Sequence, residues 1–145
     1  MSLGRVCTRE VDVAAADESV LYAAERMHQR SVGTLVVVDE VQRPVGIVTD
    51  RDLLVRVLAE GKEPNETLVG QVMTRPAATA LEDTPIEMAL ERMAASGFRR
   101  MPVVDHNGKL VGLVTLDDIL LLLGKELSQA GKVLAQQTPR TAAAV

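Results

Sequence analysis

The sequence predicts an α/β protein made from one β-α-β-β-α unit used twice in tandem. The first observation behind this is an internal repeat. Slid by 66 positions, the chain matches itself without a gap, with 20 identities across positions 4 to 60. Roughly four would arise by chance at average residue usage. Gly4, Val6, Thr8 and Arg9 fall on Gly70, Val72, Thr74 and Arg75, and Glu25-Arg26-Met27 falls on Glu91-Arg92-Met93. Val37-Val38-Asp39 falls on Val103-Val104-Asp105, while Gly46, Val48, Thr49 and Asp52 fall on Gly112, Val114, Thr115 and Asp118. The second observation is that apolar spacing switches between helical and strand-like in the same order in both copies. The third is Asn107-Gly108 between two apolar runs, a strong hairpin signal. Units of this length exceed most solenoid repeats and describe two similar half-domains.

Each unit opens with a short extended segment, Val11 to Ala15 and Ala77 to Leu81. Asp17 and Asp83 then stand where a helix cap belongs, since a short side-chain oxygen satisfies free N–H groups there. Pro85 suits the first turn of the second copy. Val20, Ala23, Ala24 and Met27 are apolar at helical spacing, as are Ile86, Ala89, Leu90 and Met93. Two strands follow, Thr34 to Val38 and Val45 to Val48, with counterparts Met101 to Val104 and Leu110 to Val114. The first-copy turn, Asp39 to Arg43, is less typical than Asn107-Gly108. A second helix begins near Asp50 and near Leu116. Its apolar face is Leu53, Leu54, Val57 and Leu58, then Ile119, Leu120 and Leu123. Glu60 to Thr67, with Gly61, Pro64 and Asn65, reads as a polar connection. The expected division is repeat 1 over 1–62, a linker over 63–67, repeat 2 over 68–127, and a helix end with a tail over 128–145 that frays beyond Pro139.

Composition narrows the function classes. Apolar residues make up 47% of the chain, enough for a sizeable core, which excludes wholesale disorder. Sixteen Lys and Arg against twenty Asp and Glu leave a net charge of −4, which argues against nucleic acid or an anionic membrane as partner. Tyr22 and Phe98 are the only aromatics, too few for a base-stacking platform. The single cysteine, Cys7, excludes an internal disulfide, fits a reducing compartment, and reads as a small buried hydrophobe. The longest aliphatic run, Ile119 to Leu123, is far short of the ~20 residues a membrane span needs. Arg5, Arg9 and Glu10 fall where a signal peptide would be apolar, so a cytoplasmic location is expected. His28 and His106 are isolated and make no metal set with Cys7. No Ser/His/Asp order, Walker loop or carboxylate–base pair stands out, so no catalytic residue, metal or required cofactor is expected.

The order of elements, with Gly-Ile-Val-Thr-Asp-Arg-Asp at 46–52 and Gly-Leu-Val-Thr-Leu-Asp-Asp at 112–118, resembles the tandem CBS (cystathionine β-synthase) domain family. Val72-Met73-Thr74 and Met101-Pro102-Val103-Val104-Asp105 add to the resemblance, which covers about residues 4 to 127. It implies two repeats packed about a pseudo-two-fold axis into one module, the Bateman module, here resembling a free-standing pair. It also implies two clefts between the repeats that bind adenosine-containing ligands: AMP, ADP, ATP or S-adenosylmethionine.

Thr49-x-x-Asp52 and Thr115-x-x-Asp118 each lie where a strand runs into a helix. Two readings of this pattern stand. The helix start and the Thr hydroxyl suit a phosphate, and an Asp one turn on suits ribose hydroxyls. Thr-x-x-Asp is also nearly a capping box, which needs no ligand, and one Thr can serve both roles. By the resemblance, Arg99 and Arg100 line the phosphate end of a cleft, where guanidinium forks match phosphate oxygens. Gly33 and Thr34 replace them in the first repeat, so any phosphate contact there falls to backbone or Thr34. Val36 stands where Pro102 supplies the usual proline. Arg51 and Lys109 read as surface charges. The apolar walls for an adenine ring would be Val13, Val32, Ile47, Phe98, Met101 and Leu113. Thr8, Thr74 and Thr79 are further base or phosphate contacts. Arg99 and Pro102 are expected to surround Asp118, making it the more sensitive of the two aspartates.

The expected function is a non-catalytic sensor that binds an adenosine ligand and passes occupancy to a protein target by changing the angle between repeats or subunits. The alternative is a ligand-free homodimerisation scaffold whose Thr-x-x-Asp motifs only cap helices. A homodimer is expected on either reading, because Leu120 to Leu123 is apolar on every side of its helix.

Overall fold

The computed structural model describes residues 1–137; the tail expected to fray beyond Pro139 lies outside the described residues. Helix α1 spans Leu3–Val6, strand β1 Val13–Ala14, α2 Val20–Arg30, β2 Thr34–Val38, β3 Pro44–Thr49 and α3 Asp50–Leu53. A π-helical turn, Leu54–Leu58, continues α3. The second copy has α4 Val69–Val72, β4 Ala80–Leu81, α5 Ile86–Ser96, β5 Arg100–Val104, β6 Leu110–Thr115 and α6 Leu116–Gln137. Two three-stranded sheets result, ordered β1-β2-β3 and β4-β5-β6. In each, the first pair is parallel and the second antiparallel. Both antiparallel pairs shift register at the same place, between Val37 and Val38 and between Val103 and Val104.

The predicted β-α-β-β-α order holds in both repeats, with two differences. The caps of α2 and α5 fall at Ser19 and Pro85, two residues beyond Asp17 and Asp83. Ser19 Oγ accepts from the Tyr22 N–H. The connection decides this shift, because the Val20 N–H donates to the Thr67 carbonyl at 2.8 Å and so fixes where α2 starts. Met1 does the same for α5, its carbonyl accepting from Ile86 N–H. The second difference is α1 and α4, single turns too short to leave a periodic trace in sequence. Both helices α2 and α5 end in a left-handed residue, Ser31 and Gly97.

The cores exchange parts. Val69, Val72 and Met73, from the start of the second repeat, are buried with Leu35, Val37 and Val48 of the first. Leu3 is buried with Met101, Val103, Val114 and Ile119 of the second, with Val6 and Cys7 against them. Hydrogen bonds follow the exchange: Leu3 and Gly4 N–H groups donate to Thr84 and Glu82 carbonyls, and Val69 and Gly70 donate to Glu18 and Ala16. Each repeat's leading segment then pairs with the other repeat's third strand. Thr8 bridges Leu113, and Thr74 bridges Ile47, each through two backbone hydrogen bonds of 2.8–3.0 Å. Glycine makes this approach possible. A Cβ on Gly46 would lie 2.6 Å from Met73 Sδ, and one on Gly112 would lie 2.5 Å from Cys7 Sγ.

Candidate functional site

The crossed bridges create two clefts between the repeats, each walled by both. The first, of about 140 Å³, takes Ile47, Thr49 and Asp52 from repeat 1. Its other wall is Thr74, Pro76 to Ala78, and Phe98 to Arg100 from repeat 2. The second, of about 290 Å³, takes Leu113, Thr115 and Asp118 from repeat 2. Thr8, Glu10 to Asp12, and Val32 to Thr34 face them from repeat 1, and Arg100 reaches this cleft too. Moved by 66 positions, one lining becomes the other, Arg100 aside.

Both Thr-x-x-Asp motifs form complete capping boxes. Thr49 N–H donates to Asp52 Oδ2 at 2.9 Å, and Asp52 N–H donates to Thr49 Oγ1 at 3.2 Å. Thr115 and Asp118 repeat this at 2.9 and 3.1 Å. The box uses one carboxylate oxygen of each aspartate. In Asp52 the other, Oδ1, lies 3.7 Å from Arg56. Arg56 also donates to the Val72 carbonyl and to Thr74 Oγ1, tying the two repeats together at the first cleft. Leu122 holds the equivalent position in the second repeat, and among the described residues Asp118 has no ion pair.

Fourteen of the eighteen residues singled out by sequence line one cleft or the other. The exceptions are Val13, Thr79, Met101 and Pro102. Val13 lines a separate open hollow beside Glu18 and Arg26. Thr79 lines neither cleft; its carbonyl accepts from Arg92. Met101 is only 1% exposed, packed inside the second core, and cannot wall a ligand site. Pro102 is buried in β5 opposite Leu113. Met101 alternates with the cleft residue Arg100 along β5 and so faces the core, and a strand buried on both faces hides that alternation in sequence.

One expectation is reversed. Arg99 and Pro102 do not surround Asp118. Arg99 and Arg100 face Asp52, because each helix start meets the opposite repeat's leading segment. Asp118 faces Gly33 and Thr34, with Arg100 alone of the two arginines reaching its cleft. The sequence reading also missed Glu10 to Asp12 and Pro76 to Ala78 as site residues, placing Val11, Asp12, Ala77 and Ala78 only in extended segments. Their position just after the paired Thr8 and Thr74 is the signal that would have found them.

The first cleft brings two arginines and one carboxylate to an apolar wall. Phe98, 43% exposed, offers a ring face next to Ile47. Arg99 pairs with Asp117 at 3.1 Å on the surface, whereas Arg100 has no carboxylate partner among the described residues. Cys7 is partly buried, and its burial raises the thiol pKa. Among the described residues no group of three or more His, Cys, Asp or Glu could hold a metal, and no helix is long and apolar enough to cross a membrane.

A CBS domain model matches the chain twice, over residues 3–59 and 69–125. The chain belongs to the CBS domain family. An uncharacterized protein of Methanopyrus kandleri is 39% identical over 120 residues, 83% of this chain and 61% of that relative. The chain thus spans under two thirds of that protein's length. Among solved structures, the CBS domain pair of protein MJ0100 in complex with 5′-methylthioadenosine and S-adenosyl-L-methionine aligns with TM-score 0.75 and 29% identity. It covers 87% of this chain and 98% of that one. CBS domain protein PAE2072 from Pyrobaculum aerophilum, complexed with AMP, aligns with TM-score 0.75 and 26% identity over 86% of this chain and 99% of that one. The α/β fold of two CBS repeats is therefore common to all three.

Proposed function

We propose that the chain is a regulatory sensor module that binds a phosphorylated adenosine ligand, AMP, ADP or ATP, in the first cleft. One observation carries this reading: Phe98, Arg99, Arg100 and the Thr49–Asp52 pair converge from opposite repeats on one hollow. Asp52 is the ribose partner, Phe98 and Ile47 flank the base, and Arg100 and Arg99 meet the phosphate. A CBS pair of similar structure is complexed with AMP, which supports the same ligand class here. A ligand bridging the two walls changes the angle between repeats, and that change is the signal. No reaction is part of the proposal.

The second reading, a ligand-free scaffold, draws on the capping boxes, which satisfy both motifs with protein atoms alone. Either reading includes a homodimer. Leu54, Leu58, Leu120 and Leu121 are each more than half exposed on the two second helices, an apolar face suited to a second copy. Thermal-shift measurement and calorimetric titration of the chain with AMP, ATP and S-adenosylmethionine separate the readings. A rise in melting temperature with AMP, lost in an Arg99→Ala/Arg100→Ala double variant, is expected. No shift with any of the three ligands refutes the sensor reading and leaves the scaffold.

A further inference from the structure

The two clefts match residue for residue in position but not in charge. In the first, Asp52 stands against two guanidinium groups, Arg99 and Arg100, and is itself paired by Arg56. In the second, Gly33 and Thr34 hold the arginine positions, and Leu122 the Arg56 position. Glu10 and Asp12 stand where the first cleft has Pro76 and Ala78. Asp50, which stands where the second repeat has Leu116, lies behind Gly33 rather than in the cleft lining. Its Oδ2 lies 2.8 Å from where a Cβ on Gly33 would be, so a negative charge sits where an arginine side chain leaves the backbone in the other cleft. Arg30 neutralises Asp12, its Nε 2.8 Å from Oδ1. Glu10, Asp50 and Asp118 have no ion pair among the described residues; Arg100, shared with the first cleft, and Arg30, within electrostatic reach of Glu10, are the cations near them.

We infer that the second cleft rejects phosphorylated nucleosides and takes an adenosine-type ligand whose 5′ substituent is cationic and carries no phosphate. The shared parts set the common features. Thr115 and Asp118 repeat the ribose geometry of Thr49 and Asp52, and Val32 and Leu113 replace Phe98 and Ile47 as apolar walls. The parts that differ lie on the wall facing the aspartate, where a 5′ group would extend. Like charges a few ångströms apart in a partly desolvated cleft repel strongly, and opposite charges attract as strongly. Glu10 and the absence of arginine at 33 and 34 are the specificity determinants. The inference rests on the sensor reading above. It adds that one chain holds two different ligands at once, so that the module reports the balance of an anionic and a cationic adenosine compound.

The test is calorimetric titration of the full chain with AMP, with neutral 5′-methylthioadenosine and with the sulfonium compound S-adenosylmethionine. AMP is expected to bind once per chain, about tenfold weaker in Asp52→Ala and unchanged in Asp118→Ala. S-adenosylmethionine is expected to bind in the presence of saturating AMP, more tightly than methylthioadenosine. That binding falls about tenfold in Asp118→Ala, and several-fold in Glu10→Gln, which removes only an exposed charge. Glu10→Gln also guards against misfolding, since Asp118 is part of a capping box and Glu10 is not. Two equal AMP sites per chain, or AMP affinity that depends on Asp118, overturns the inference. So does failure of S-adenosylmethionine to bind beside AMP, which leaves the sensor reading of the first cleft standing. Failure of AMP, ADP and ATP alike removes that reading, and the two results are distinct.

Discussion

Gly46→Ala tests the crossed pairing on which both clefts depend. The added Cβ would lie 2.6 Å from Met73 Sδ, 3.0 Å from Met73 Cγ and 2.9 Å from the Thr74 carbonyl oxygen. Met73 is a flexible side chain but is 9% exposed and set in the first core, so it has little room to withdraw. The Thr74 carbonyl is backbone, and it accepts the Ile47 N–H at 3.0 Å while Thr74 N–H donates back at 2.8 Å. Relief therefore means separating Thr74 from Ile47. Overpacking of this kind costs about 1–3 kcal/mol, and two weakened hydrogen bonds about 0.5 kcal/mol each, which suggests about 2–4 kcal/mol in total. In a chain of this size that is a fall of roughly 5–15 °C in melting temperature. Thermal and urea unfolding followed by circular dichroism would read it. Gly124→Ala is the control. It lies within α6 with nothing inside 4 Å of the added Cβ, so it is expected to stabilise by up to about 1 kcal/mol. The affinity for AMP should fall with the Gly46 substitution, since Ile47 and Thr74 both line the first cleft. A Gly46→Ala protein that melts at or above the parent temperature refutes the argument that this close approach holds the repeats together.

Three further outcomes follow from the same geometry. Asp118→Ala removes the acceptor of the Thr115 N–H and should cost about 1 kcal/mol in urea unfolding; an unchanged midpoint would show the box contributes nothing. Burial raises the Cys7 pKa, so less thiolate is present near neutral pH, and a thiol reagent should react more slowly than with free cysteine, faster as pH rises. By linkage the neutral thiol favours the folded state, so its contribution is full below the ordinary thiol range and lost as pH climbs through the raised value. Equal reaction rates for Cys7 and free cysteine would contradict this. Light scattering should give twice the 15.6 kDa chain mass, reduced to a single chain by Leu121→Glu on the exposed face of α6; a monomer in the parent protein would count against the homodimer.

The local parts of this protein are legible in its sequence. The 66-residue repeat, the strands at Thr34–Val38 and Leu110–Thr115, and the helices at Val20–Arg30 and Ile86–Ser96 follow from periodicity and turn chemistry, which act over a few residues. The capping boxes at Thr49 and Thr115 are equally local, since donor and acceptor are three residues apart. Tertiary structure decided the rest. Sequence order places Arg99 near Asp118, but backbone pairing of Thr8 with Leu113 and Thr74 with Ile47 brings it to Asp52 instead. That pairing depends on two glycines with no Cβ and on short leading helices buried in the opposite core. Neither leaves a periodic mark, because the bridged partners are 105 residues apart for Thr8 and Leu113 and 27 apart for Ile47 and Thr74. The same crossing gathers Arg99 and Arg100 around Asp52 at one cleft and Glu10, Asp12 and Asp118 with Arg100 at the other, a difference in charge that position along the chain does not reveal.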